Sequence, residues 1–246
     1  MTRALPLTLL GLLLLPALAL AAGLPSVTIG LGEATEPQQV STALQILLLL
    51  TVMTVAPAIL LMTTSFTRIV IVLSFVRQAM GTQQAPSSQI IIGLSMFLTF
   101  FIMTPVWNQV NTTALKPYMA GQITQDQAFA QALTPMRTFM FSQTSEKTLE
   151  LLIDISKMEK PASRDDIPTL TLIPAFMLSE LKTAFQMGFL LFVPFLVVDM
   201  VVASILMAMG MMMLPPIIIS LPFKILLFVL VDGWTLVVGS LVQSFF

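Results

Sequence analysis

The stretch Met207-Ala208-Met209-Gly210-Met211-Met212-Met213-Leu214-Pro215-Pro216 decides how the rest of the chain is read. Five of the seven residues from Met207 to Met213 are methionine, in a chain that holds 18 among 246 residues. Long apolar runs lie on both sides, and Gly210 and the Pro215-Pro216 pair interrupt them. Methionine is unbranched, flexible and polarizable, so it fills irregular gaps and repacks around different surfaces. A flexible apolar plug between two hydrophobic helices suggests a seal. The plainer alternative is methionine as packing between helices in lipid.

Outward from this stretch the composition has one character. The chain is 57% hydrophobic and 9% charged, with a mean hydropathy of +0.95. Soluble domains carry about 25% charged residues, so this is a membrane protein or part of a membrane assembly. The net charge is −1 and there is no basic block, which excludes an electrostatic footprint for nucleic acid. There is no Cys and no His, which removes disulfides, thiol nucleophiles, most zinc sites and the usual general base. With no Gly-rich phosphate loop and no metal-ligand spacing either, no cofactor and no catalytic residue are expected.

Arg3, the apolar core Leu5 to Leu20 and the small-x-small triplet Ala19-Leu20-Ala21 read as a signal peptide over residues 1–21. The alternative is an uncleaved first transmembrane helix. Residues 22–42 are polar and small, an exported lead-in. Residues 43–106 form a first apolar helical pair. Its spans, Ala43 to Met62 and Ile90 to Val106, are joined by a connector that holds Arg68 and Arg77 and no acid. The positive-inside rule places that connector in the cytoplasm. Pro57 is expected to kink the first span and Pro105 to end the second.

Residues 107–184 change character. Fifteen of the chain's 23 charged residues lie between Trp107 and Thr183. Leu149, Leu152, Ile153, Ile155 and Met158 recur at helical spacing among mixed charges, so amphipathic helices on the periplasmic side are expected. Residues 185–246 form the second apolar pair, with the methionine turn between Thr183 to Met213 and Ile217 to Phe246; Pro194 interrupts the first of these. The fold class is therefore all-α, a multi-helix integral membrane protein with kinked and broken apolar helices.

Arg68, Glu180, Lys182, Asp199, Lys224 and Asp232 stand in or against apolar blocks. An ionisable side chain there faces a bundle interior or an aqueous cavity, or snorkels to the interface. Lys224 and Asp232 are separated by about 12 Å of helical rise and roughly 80° of rotation, so they do not pair. Glu180 and Lys224 have opposite signs and begin consecutive apolar blocks, which suggests an ion pair between subunits.

Several strings in order carry a resemblance. They are Thr64-Ser65-Phe66-Thr67-Arg68-Ile69-Val70-Ile71-Val72, Arg77-Gln78-Ala79-Met80-Gly81-Thr82, Phe97 to Met103, and Ser179-Glu180-Leu181-Lys182-Thr183-Ala184-Phe185-Gln186. Pro194 to Asp199, Met207 to Pro216, Leu221-Pro222-Phe223-Lys224 and Val229 to Trp234 continue the series. Over roughly residues 43–246 the chain resembles the FliP family of flagellar export-gate proteins. The injectisome export-gate proteins of type III secretion are similar in plan, and the Phe66-Thr67-Arg68 string and the signal peptide favour the flagellar branch.

The resemblance implies a non-enzymatic, all-helical subunit of a protein-export channel in the bacterial inner membrane, multi-pass, within the flagellar basal body and partly exposed to the periplasm. It implies a ring of about five copies with FliR and FliQ, FlhB and FlhA beside it, and unfolded flagellar export substrates passing through. It implies that much of the ring stands above the bilayer, so that four simple spans describe the inserted chain better than the assembly. It also places the methionine string, with Gly210, Pro215 and Pro216, at a pore constriction, one turn from each copy. An ion or solute transporter subunit is the reading from another class, since broken helices and intramembrane charges also suit one.

Overall fold

The structure is a computed structural model that describes residues 37–246, apart from Gln83, residues 158–160 and Met212. The signal peptide expected over 1–21, and the lead-in as far as residue 36, lie outside the described residues. The remainder of the expected lead-in is already helical, because helix α1 begins at Pro37 and runs to Met62. The chain divides after Leu50 into two compact units. Of the first, the described residues are the start of α1. The second holds everything from Thr51 on.

In the second unit α1 gives way to α2 (Phe66–Ala79) and α3 (Ser88–Val110). A π-helical turn (Asn111–Leu115) and the short α4 (Lys116–Met119) carry α3 onward without a break. Then come α5 (Gln125–Gln143), α6 (Glu146–Ile155), α7 (Thr169–Ala208), α8 (Pro216–Leu230) and α9 (Gly233–Gln243). There is no strand among the described residues. Three helices are long and apolar enough to cross a membrane, over Leu44–Met62, Ser88–Met119 and Thr169–Ala208; α8 and α9 make a fourth if the bent pair is one span. The all-α membrane class expected from composition is what the chain adopts.

Local chemistry sets the helix ends. Ser87 caps α3 by accepting from the Ile90 N–H, and Thr124 and Gln127 form a reciprocal capping box at α5. Ser145 caps α6, and its own N–H donates to Ser179 Oγ of α7 at 3.0 Å. The charged segment 161–168 is irregular, and Arg137 of α5 holds its end by donating to Ile167 O (2.8 Å) and Thr169 Oγ1 (2.7 Å).

Helix α2 is the centre of the packing. Ile69, Val72, Leu73, Val76 and Ala79 recur at helical spacing and are all buried. Arg68 lies beside Glu180 of α7, and seven residues on Phe75 packs edge-on against Phe185, with ring centroids 5.2 Å apart. The two helices therefore run parallel. Their approach depends on Gly188, where a Cβ would stand 2.4 Å from Phe75 Cδ2. Arg77 reaches Ser88 Oγ at 3.0 Å, which ties the start of α3 back to the end of α2. This differs from the sequence expectation. The segment read as a basic cytoplasmic connector is the most buried helix of the unit, because Arg68 finds its counter-charge inside the protein rather than at an interface.

The apolar blocks also have other limits than expected. Pro105 lies within α3 and Pro194 within α7, and neither ends its helix. Continuous helix runs across both expected segment boundaries, at 106/107 and at 184/185. At about 60 Å for its 40 residues, α7 is twice as long as a hydrocarbon core is thick. Its first turns bury Leu172 and Phe176 against Met140 of α5, and further along Phe185, Phe189 and Leu190 stand exposed on its outer face.

Candidate functional site

The methionine stretch is a tight helical hairpin between α7 and α8. Gly210 has φ +76°, a left-handed conformation that suits glycine. Its N–H bonds to Met207 O at 3.0 Å, and the Met211 N–H reaches back to Leu206 O at 2.9 Å. These two bonds make a Schellman stop, which satisfies the last carbonyls of α7 and turns the chain out. Pro215 then caps α8 and Pro216 takes its first turn, where a missing N–H costs nothing. Glycine ends one arm and the proline pair begins the other.

At the end of α7 and through the turn the methionines are exposed. Met207 is 60% exposed, Met209 59%, Met211 41% and Met213 98%. The Met212 side chain lies outside the described residues. Leu206, by contrast, is buried at the base of the turn. Met209 also borders an apolar groove between α7 and α8, so these side chains are only partly covered by their own chain.

The six charged candidates resolve into two clusters and two isolated groups. In the first cluster Arg68 Nε donates to Glu180 Oε2 at 2.8 Å, and Nη2 donates to Glu180 Oε1 and to Gln143 Oε1, the latter at 2.8 Å. Nη1 donates to Ser244 O (3.1 Å) and Ser244 Oγ (3.0 Å). All five guanidinium N–H groups therefore have an acceptor. The guanidinium carbon lies 3.9 Å from the centre of the Phe245 ring, within cation–π range. Arg68 and Glu180 are both buried, and such a pair offsets its desolvation only when every donor is used in this way.

In the second cluster Lys224 Nζ donates to Asp199 Oδ2 at 2.6 Å and Ser220 Oγ to Asp199 Oδ1 at 2.5 Å. Lys224 is buried and Asp199 keeps 27% of its side chain exposed. The expected Glu180–Lys224 pair is thus corrected. Each residue has a partner of its own in the same chain, Arg68 for Glu180 and Asp199 for Lys224. Lys182 is exposed on α7. Asp232 is exposed too, and its side chain pairs with nothing among the described residues; it stands at φ +51° in the joint between α8 and α9, which bend by 64°.

Gln143, Ser220, Ser244 and Phe245 complete these clusters, and sequence reading did not single them out. Ser220 had one available signal, since it lies four residues before Lys224 on an otherwise apolar helix face. Gln143 and Ser244 had none, because their partner lies 75 and 176 residues away.

Apolar helices long enough to span a bilayer, ion pairs sequestered within them and an exposed apolar turn define an all-α integral membrane protein. The comparison with known sequences is more particular. The family model described as the FliP family matches residues 49–241. The flagellar biosynthetic protein FliP of Bacillus subtilis is 57% identical over 217 residues, covering 88% of this chain and 98% of its own length. The proteins of the same name from Aquifex aeolicus and Pectobacterium carotovorum are 52% and 51% identical, covering 82% and 87% of this chain and 86% and 85% of their own. The chain belongs to the FliP family.

Proposed function

We propose that this chain serves flagellar biosynthesis as a subunit of the type III export gate in the bacterial inner membrane, and that its methionine turn is the gate's seal. The observation that carries the reading is the turn itself, an apolar, flexible loop held out from two helices by a Schellman stop and a proline start. An apolar constriction excludes ions by dewetting, and methionine side chains yield around a passing polypeptide. One such turn is too small to close a channel. A ring of them, one from each of several copies, closes it.

The exposed apolar faces of α3, α7 and α8 support a chain that works among neighbours. The neighbours are further copies of this chain and subunits of the FliQ and FliR type, with FlhB and FlhA beside them. The charged helices α5 and α6 lie on the periplasmic side, and unfolded flagellar subunits are the cargo. The subunit is non-enzymatic: it shapes and seals a path.

Replacing Met211, Met212 and Met213 by Ala tests the seal. The altered protein, co-expressed with its neighbours, is expected to assemble to the wild-type level and to leak ions across the membrane. An assembled variant with unchanged conductance and unchanged growth would end the reading.

A further inference from the structure

The arms of the methionine hairpin are joined by polar contacts at one place only among the described residues. That place is the Asp199, Ser220 and Lys224 cluster. Ten residues of α7, about 15 Å of rise, separate Asp199 from Met209, and four residues of α8, about 6 Å, separate Ser220 from Pro216. Beyond the cluster the arms meet through apolar side chains alone. They do not close completely, because a wholly apolar groove of about 430 Å³ runs between them, lined by Val198, Val202, Ile205, Leu206, Ile219 and Phe223.

The cluster also has a fixed support. Lys224 Nζ stands 4.0 Å from the position that a Cβ on Gly81 would take, two residues past the end of α2. A cation is favoured at a helix C-terminus, where the carbonyl ends gather. Both carboxylate oxygens of Asp199 are engaged, one by the ammonium and one by the hydroxyl. One cluster thus ties α7 to α8 and sets both beside the end of the most buried helix. The rest of the hairpin, with its groove, has no such restraint.

We infer that Asp199, Ser220 and Lys224 are the positioning residues of the gate: they clasp the base of the hairpin and so set where its methionine turn stands. The inference rests on the proposed role of the turn as a seal. With the clasp intact the arms keep one spacing and the turn one position. With it broken the arms splay across the groove, and the ring of turns no longer fits together.

The test uses the full complex carrying Asp199→Asn, Ser220→Ala or Lys224→Met, and the charge-exchanged double variant Asp199→Lys/Lys224→Asp. Two readouts are taken. One is ion conductance. The other is the spin-label distance between Ser204→Cys on α7 and Ile218→Cys on α8, with labelled chains diluted among unlabelled ones. The chain has no other cysteine to take the label.

Asp199→Asn is expected to broaden the distance distribution and to raise the leak by about tenfold to a hundredfold, the factor that losing a charge-assisted hydrogen bond gives. Ser220→Ala moves both readouts less, and the exchanged pair restores both. Should Lys224→Met fail to assemble, Ser220→Ala and Asp199→Asn still carry the test. Assembled single variants with the wild-type distance and conductance would overturn the clasp. A broadened distance without a leak, in a protein whose Met211–Met213 alanine variant also does not leak, keeps the clasp and removes the seal.

Discussion

Arg68 shows why residue type and not charge alone holds this protein together. Its guanidinium presents five donors in a planar fork, and five acceptors surround it, from α5, from α7 and from the residues after α9. A lysine at this position would keep the charge but offer three donors from one atom, and could not lie flat against Phe245. Arg68→Lys is therefore expected to cost about 2–4 kcal/mol, since buried acceptors are left unmatched and the ion pair loses its second bond. A thermal unfolding series in detergent reads this directly. A shift within error of the wild type would mean that water replaces the missing donors. None of this pairing is legible from the residue itself. Two arginines near an apolar block fit the positive-inside pattern, and what overrides that pattern is a carboxylate 112 residues away.

At the scale of elements, the helices were largely legible and their ends and joints were not. Apolar runs long enough to span a membrane announce themselves by length and composition. The Gly210 and Pro215-Pro216 frame of the methionine turn was also readable, because glycine and proline have fixed local preferences. The corner between α8 and α9 was hidden. Residues 217–246 read as one block, yet the chain turns at Asp232, whose N–H closes α8 on Val229 O at 3.1 Å and whose carbonyl begins α9 by accepting from Leu236 N at 3.2 Å. Gly233 follows because Phe228 packs so closely that a Cβ there would come within 2.4 Å of its ring. Asp232 thus has a backbone role, and the left-handed conformation is one that Asp and Asn tolerate better than most residues. Asp232→Asn and Asp232→Gly are expected to stay within about 0.5 kcal/mol of wild type, whereas Asp232→Val costs about 1–2 kcal/mol. If the carboxylate itself served assembly, Asn would weaken co-purification with the other subunits as much as Val, and that comparison decides between the two roles.

For the whole second unit, the question is what keeps α2 in place when so much of the surrounding surface is apolar and exposed. The Arg68 cluster joins the start of α2, the end of α5, the first third of α7 and the residues after α9, so elements far apart in sequence depend on one buried guanidinium. The tail contributes the most replaceable part. Ser244 supplies two of the five acceptors, Phe245 the ring beneath the guanidinium, and the Phe245 carbonyl accepts from Gln143 Nε2 at 3.2 Å. Removing residues 244–246 leaves the Nη1 donors without partners and takes a support from Gln143 as well. Each buried polar group left unmatched costs about 1–3 kcal/mol, and the loss falls on α2 because Arg68 belongs to it. Amide hydrogen exchange is expected to show the backbone of α2 losing protection by a factor of roughly a hundred or more in the truncated chain, with the α7–α8 hairpin unchanged because its clasp is a separate cluster. Ser244→Ala, which keeps the carbonyl and removes only the hydroxyl, produces a smaller loss in the same amides. Equal loosening of both regions would show instead that the two ion-pair clusters hold a single cooperative unit, with the methionine hairpin no more separable from the core than α2 is.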